Sequence, residues 1–109
     1  MSVTTARPHT IRTQQGPRIV TATSPVPGLH VYEIPDDVDQ PSAYRWRLGH
    51  HSGLLIAAAM YEDDAIRGAQ KIADLADWTQ DYAELRANVD ANELFRRISW
   101  ASCEHPNYA

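Results

Sequence analysis

Apolar and polar positions alternate most cleanly from Tyr44 to Leu48, where Tyr44, Trp46 and Leu48 point one way and Arg45 and Arg47 the other. This period of two predicts a strand. His50-His51-Ser52-Gly53 follows as a turn, with Gly53 able to take a positive φ, and Leu54 to Met60 returns as the partner strand. The period then changes. Ile66, Ala69, Ile72, Ala73 and Ala76 recur at steps of three and four, which predicts an amphipathic helix over 62–78. Glu62, Asp63 and Asp64 crowd its first turn, where carboxylates meet the positive end of the helix dipole. The alanines make a narrow stripe that can lie close to a sheet, and Leu75 and Trp78 widen it to one side.

The flanking segments carry weaker patterns. Leu29 to Ile34 alternates Leu29, Val31 and Glu33 against His30, Tyr32 and Ile34, and reads as another strand. Pro35 to Pro41 is a loop, with prolines at its ends and acids between them. After Trp78, Tyr82, Leu85 and Val89 sustain a weaker helical period through Asn88. Asp90-Ala91-Asn92-Glu93 has the spacing of a capping box and starts a last helix with Leu94, Phe95, Ile98 and Ala101 on its inner stripe.

Residues 1 to 28 are rich in Thr, Ser, Pro, Gln and Arg, with too little apolar surface to fold alone. They read as a flexible or extended arm in which Arg18 to Thr23 is a short strand, broken by Ser24-Pro25-Val26-Pro27-Gly28. The expected architecture is α+β. An antiparallel sheet of three or four strands packs against one amphipathic helix, with one or two further C-terminal helices. Residues 29 to 102 form the single domain, and 103 to 109 a polar tail.

Charge adds a second pattern. Ten Lys and Arg against fourteen Asp and Glu leave a net charge of −4, which does not favour a general nucleic-acid surface. The acids concentrate in the helical half, and the first thirty residues carry Arg7, Arg12 and Arg18 with no acid. Asp74, Asp77, Asp81 and Glu84 follow steps of three and four that would align them on one helical side. No apolar run reaches the roughly 18 to 20 residues that span a bilayer. Cys103 is the sole cysteine, so no internal disulfide forms and the chain reads as cytoplasmic.

Tyr44-Arg45-Trp46-Arg47-Leu48, Ser52-Gly53, Ile56-Ala57 and Tyr61, followed by a helix bearing Ile66 and Ile72, resemble the short repeat of the YegP-like family. The resemblance implies a small antiparallel sheet packed on that helix, in a family whose members carry two repeats or pair through one. It spans 44–78. The turn is Ser-Gly where the repeat has Asn-Gly, and Ala58-Ala59-Met60 replaces its Ser- and Gly-bearing segment, one residue shorter.

Catalytic motifs are absent from the sequence: there is no Gly-flanked serine elbow, phosphate-binding Gly-rich loop or dinucleotide fingerprint. His50, His51, Cys103 and His105 are zinc-type donors. Adjacent turn residues diverge, however, and a structural zinc site normally uses cysteine pairs. No enzyme activity, cofactor or metal is therefore expected. Arg45 and Arg47 would suit an acidic partner. They oppose the aromatics Tyr44 and Trp46, whereas single-stranded nucleic acid wants both chemistries on one face. Trp78, Phe95 and Trp100 exceed what one small sheet can cover, so homodimerisation is the expected outcome. The candidate interaction residues are Arg45, Arg47, Asp74, Asp77, Asp81, Glu84, Trp78 and Trp100. The competing expectation is a phage or mobile-element protein that uses its acidic helices to inhibit a host nucleic-acid-handling protein, or its N-terminal arm as a virion accessory.

Overall fold

The computed structural model describes residues 6–103. Five strands form one antiparallel sheet in chain order: β1 (Arg7–Thr13), β2 (Gly16–Val26), β3 (Leu29–Glu33), β4 (Trp46–His50) and β5 (Leu55–Ala59). Three helices follow, α1 (Glu62–Ile72), α2 (Tyr82–Asn88) and α3 (Ala91–Trp100). The α+β class is as expected, with five strands instead of three or four.

The extra strands come from the segment expected to be an arm. β1 pairs with β2 from Arg7↔Ala22 to Thr13↔Gly16, and β2 pairs with β3 through Ala22↔Tyr32, Thr23↔Val31 and Val26↔Leu29. Pro25 does not stop β2, because the register shifts between Thr23 and Val26, and a bulge leaves a residue without a ladder bond. Ser24 stitches the bulge by donating its hydroxyl towards Val26 O (2.9 Å) and Leu29 O (2.8 Å). Pro27-Gly28 then turns the chain. Gly28 has φ +88°, and a Cβ there would lie 2.1 Å from Trp78 O, so only glycine fits.

The sheet has apolar side chains on both faces. On the helix side, Leu29, Val31, Leu48, Ala57 and Ala59 join Ala65, Ala69 and Ile72 of α1, Leu85 of α2, Ile98 of α3, Trp78 and Cys103 in the main core. On the other side Ile11, Val20, Ala22, Tyr32 and Ile34 form a smaller core, covered at one end by Val38. The sheet curls around this second core. A Cβ on Gly53 (φ +97°) would stand 3.6 Å from Thr10 O, so β1 passes close to the β4–β5 turn.

The hairpin-helix unit forms with one correction: α1 ends at Ile72, not at residue 78. Residues 73 to 80 turn back instead, and Trp78 donates its indole N–H to Ile72 O (2.8 Å), one of the carbonyls left open at a helix end. Leu75 N–H reaches the same oxygen at 3.1 Å. The buried stripe of α1 also begins earlier than expected, with Ala65 and Gly68 beside Ala69 and Ile72. Gly68 is needed there because a Cβ would meet Cys103 Sγ at 2.8 Å.

Asp90 caps α3 as the sequence suggests, accepting from Asn92 N (2.9 Å) and Glu93 N (3.2 Å). The Glu93 carboxylate does not return to the cap; it binds Arg97 and Arg96. At the other end, Ser102 takes φ +61°, with Ser102 N–H to Ser99 O (3.1 Å) and Cys103 N–H to Ile98 O (3.0 Å). This paired closure sends Cys103 back onto α1, where its thiol donates to Asp64 O (3.2 Å). Residue 103 therefore belongs to the core, and the expected tail from 104 onward lies outside the described residues.

Candidate functional site

β5 ends the sheet, so among the described residues one of its edges has no neighbouring strand. Beside it lies a hollow of about 350 Å³ lined by Leu54, Ile56, Tyr82, Leu85, Leu94 and Phe95, among others, with His50 and Arg86 as its titratable neighbours. Helices α2 and α3 wall it because Leu85 and Ile98 draw them onto the main core while their outer faces stay open. Leu54, Tyr82 and Phe95 each retain more than a third of their surface in solvent. Trp100 on α3 is 62% exposed, and Met60 and Tyr61 continue the open apolar surface beyond β5. An unpaired strand edge next to exposed aromatic and aliphatic groups has the composition of a protein-contact surface.

The residues singled out from the sequence divide between this surface and the frame of the fold. Trp100 is exposed, but Trp78 is 4% exposed and serves the main core. Arg45 and Arg47 do not form an open cationic patch. Arg45 donates to Pro35 O (2.6 Å) and Asp39 O (2.8 Å). Arg47 donates to Tyr44 O (3.0 Å) and the Asp39 carboxylate (3.0 Å). The two arginines tie down the 35–41 loop, whose Asp39 is held at φ +47°. Trp46 packs against the main core, as the alternation implied.

The acidic side also takes a different form. Asp74 and Asp77 lie in the turns after α1, Asp81 caps α2 and Glu84 lies within α2, so the four acids do not share one helical side. Asp74 receives Arg97 Nη1 at 2.6 Å, and the same guanidinium reaches Lys71 O (3.2 Å) at the end of α1. Asp77 accepts from the backbone and hydroxyl of Thr79, which hold its carboxyl below the ordinary range. Asp81 accepts from Glu84 N at 3.1 Å. Spacing alone concealed this, because a turn can interrupt a run of helix-forming residues without Gly or Pro.

Of the zinc-type donors described, His50 and His51 come together, with ring centroids 3.9 Å apart, although adjacent turn residues were expected to diverge; Cys103 stands apart from them. Cys103 is fixed against α1, and burial followed by Asp64 pushes its thiol up to about 11. His50 and His51 instead face the backbone of residues 79–80. His105 lies outside the described residues, and among those described no group of three or more His, Cys, Asp or Glu is arranged to hold a metal ion.

Sequence reading missed a different assembly. His9 on β1, His30 on β3, and His50 and His51 at the end of β4 meet at one rim of the curled sheet. His9 and His30 stack with ring centroids 4.4 Å apart, and His50 and His51 lie 3.9 Å apart. His9 also lines a hollow with His51, Ser52 and Gly53. Burial, then His51, lowers His9; burial and the three other histidines lower His30 to about 4. His50 is lowered by burial and His51, with opposing contributions from the Gln80 and Trp78 backbone and from Asp81. The alternation of Leu29 to Ile34 put His30 on the same face as Tyr32 and Ile34. Nothing in Arg7–Thr13, with one aliphatic residue, signalled that β1 would bring His9 beside it.

No family model, curated protein or solved structure matches the chain. Among the described residues no helix is long and apolar enough to cross a membrane. The fold and its surfaces therefore define an α+β domain with an open apolar edge.

Proposed function

We propose that this chain is a non-enzymatic protein-interaction module that pairs with a second copy of itself across the β5 edge and the adjoining α2–α3 hollow. The observation that carries the reading is the coincidence of an unpaired strand edge with a hollow exposing Leu54, Tyr82 and Phe95. A second β5 would supply the missing ladder bonds, and the helix walls would cover one another's aromatic groups. The resemblance of residues 44–78 to a repeat whose family members carry two copies or pair through one supports the same direction. The lining of the hollow is mainly aliphatic and aromatic, which suits contact better than acid–base chemistry.

Sedimentation over a concentration series tests this. The expected result is a dimer mass that dissociates on dilution, and a monomer at every concentration overturns the proposal. Tyr82→Glu provides the matched variant. It puts a carboxylate in the first turn of α2, where the helix dipole favours it, yet charges the hollow. A folded Tyr82→Glu chain is expected to be monomeric, and one that dimerises as tightly as the parent moves the interface elsewhere.

A further inference from the structure

The four clustered histidines bring β1 against β3 and the end of β4, although no ladder connects β1 to either. The contacts of His50 and His9 suit the neutral form. Ser52 N–H donates to His50 Nδ1 at 3.2 Å, which makes that nitrogen an acceptor and puts the ring proton on Nε2, 2.9 Å from Gln80 O. A second proton at Nδ1 would face that N–H, with the Ser52 hydroxyl, 2.8 Å away, to accept it. His51 Nε2 lies 3.1 Å from Thr79 O and 3.0 Å from Gln80 O, which makes it a shared donor. His9 is 9% exposed, and its Nε2 is buried without a hydrogen-bond partner, so a charged ring there would leave an N–H unmet. A charge on His9 would also stand against the stacked face of His30.

The surroundings supply little relief. Tyr32 of β3 lies with its ring 5.5 Å from His9, and Arg12 of β1 lines the hollow that His9 shares with His51. Arg47 of β4 lines the next hollow with Tyr32. β2 places Val20 opposite His9, and β4 places Gly49 opposite His30. Asp81, at the start of α2, is the carboxylate that favours the charged form of His50. Around the four imidazoles thus stand two guanidinium groups, Arg12 and Arg47, of which Arg47 is paired with Asp39, and one carboxylate that acts on a ring, Asp81.

We propose that this cluster is an acid-released clasp: neutral, it holds β1 onto the β4–β5 turn, and protonation lifts β1 away and opens the small core. β1 is the element that moves because β2 alone pairs with it, whereas β3 and β4 are sandwiched between strands and covered by α1. The released face would carry Ile11 and uncover Val20 and Tyr32.

Amide exchange followed by NMR on the full chain tests the clasp. Between about pH 7.5 and about pH 5, protection of the Arg7–Thr13 amides, corrected for intrinsic exchange, is expected to fall by about ten-fold or more. Protection in α1 and β4 is expected to hold. Unchanged protection in β1 overturns the proposal, and so does an equal loss in α1, which would mean that the whole domain opens together. His30→Asn removes one ring of the stack and is expected to reduce the acid-dependent loss in β1; a folded variant with the parent's pH dependence overturns the role of the stack. If that variant does not fold, the parent's ring titrations decide. A His30 ring that titrates at its ordinary position while β1 stays protected also overturns the clasp.

Discussion

On the helix side of the sheet, side chains from four strands, turns and helices meet in one apolar mass, with Leu29, Leu48, Ile72 and Ile98 wholly out of solvent. On the opposite side five buried residues, three of them aliphatic and larger than alanine, sit beneath a rim of imidazoles. The first core has two titratable neighbours, the buried thiol of Cys103 and His50, which lines the hollow beside it. The second is closed by His9 and His30, which burial and neighbouring histidines keep neutral until the pH falls below the ordinary imidazole range. Stability and responsiveness are thereby assigned to different faces of one sheet.

Truncations should break this comparison if it is wrong. Ile72→Ala removes a fully buried side chain where α1 meets strands and α3, and should cost about 4 kcal/mol in urea unfolding. Gly28→Ala, forced into a positive φ against the Trp78 carbonyl, should cost about 3 kcal/mol. Ile11→Ala in the small core should cost about 2 kcal/mol, and a loss equal to that of Ile72→Ala would erase the distinction between the faces.

A smaller effect comes from pH. The pKa of His30 is depressed to about 4 from an ordinary 6.5, so the unfolded chain takes up protons first as pH falls. The associated stability is present above about pH 6.5 and is lost as pH drops towards 4. His9 and His50 shift in the same direction. Allowing for solvent screening of the partly exposed rings, chemical denaturation at pH 5 should show a loss of about 1 kcal/mol relative to pH 7. The smallest effect is that of Trp100→Ser, within about 0.5 kcal/mol in unfolding, since its ring is mostly in solvent.

What was legible in the sequence follows the same division. The β4–β5 hairpin and α1 are visible because their apolar positions keep a strict period, and the Asp90 cap is visible because its partners are local. The end of α1 was hidden because Ala73-Asp74-Leu75-Ala76 contains good helix formers. The deciding contacts, Trp78 to Ile72 O and Arg97 to Lys71 O, come from elsewhere. β1 was hidden because its inner face is His9, Ile11 and Thr13, a pattern with little apolar contrast. The histidine cluster needed the β1–β2 register and the curl of the sheet, which no single segment encodes. Arg45 and Arg47 were legible as a strand face, but their loop carbonyl partners were not.

The chain-order arrangement of the strands also bears on synthesis. Each strand pairs with the next to leave the ribosome, so the sheet can grow hairpin by hairpin while later residues are still being added. The helical layer cannot keep pace in this way. Gly68 and Asp64 of α1 wait for Cys103, and the end of α1 waits for Arg97, so a nascent chain holds a finished meander beneath an unfinished lid. During that interval the helix side of the sheet is the surface that a chaperone would meet.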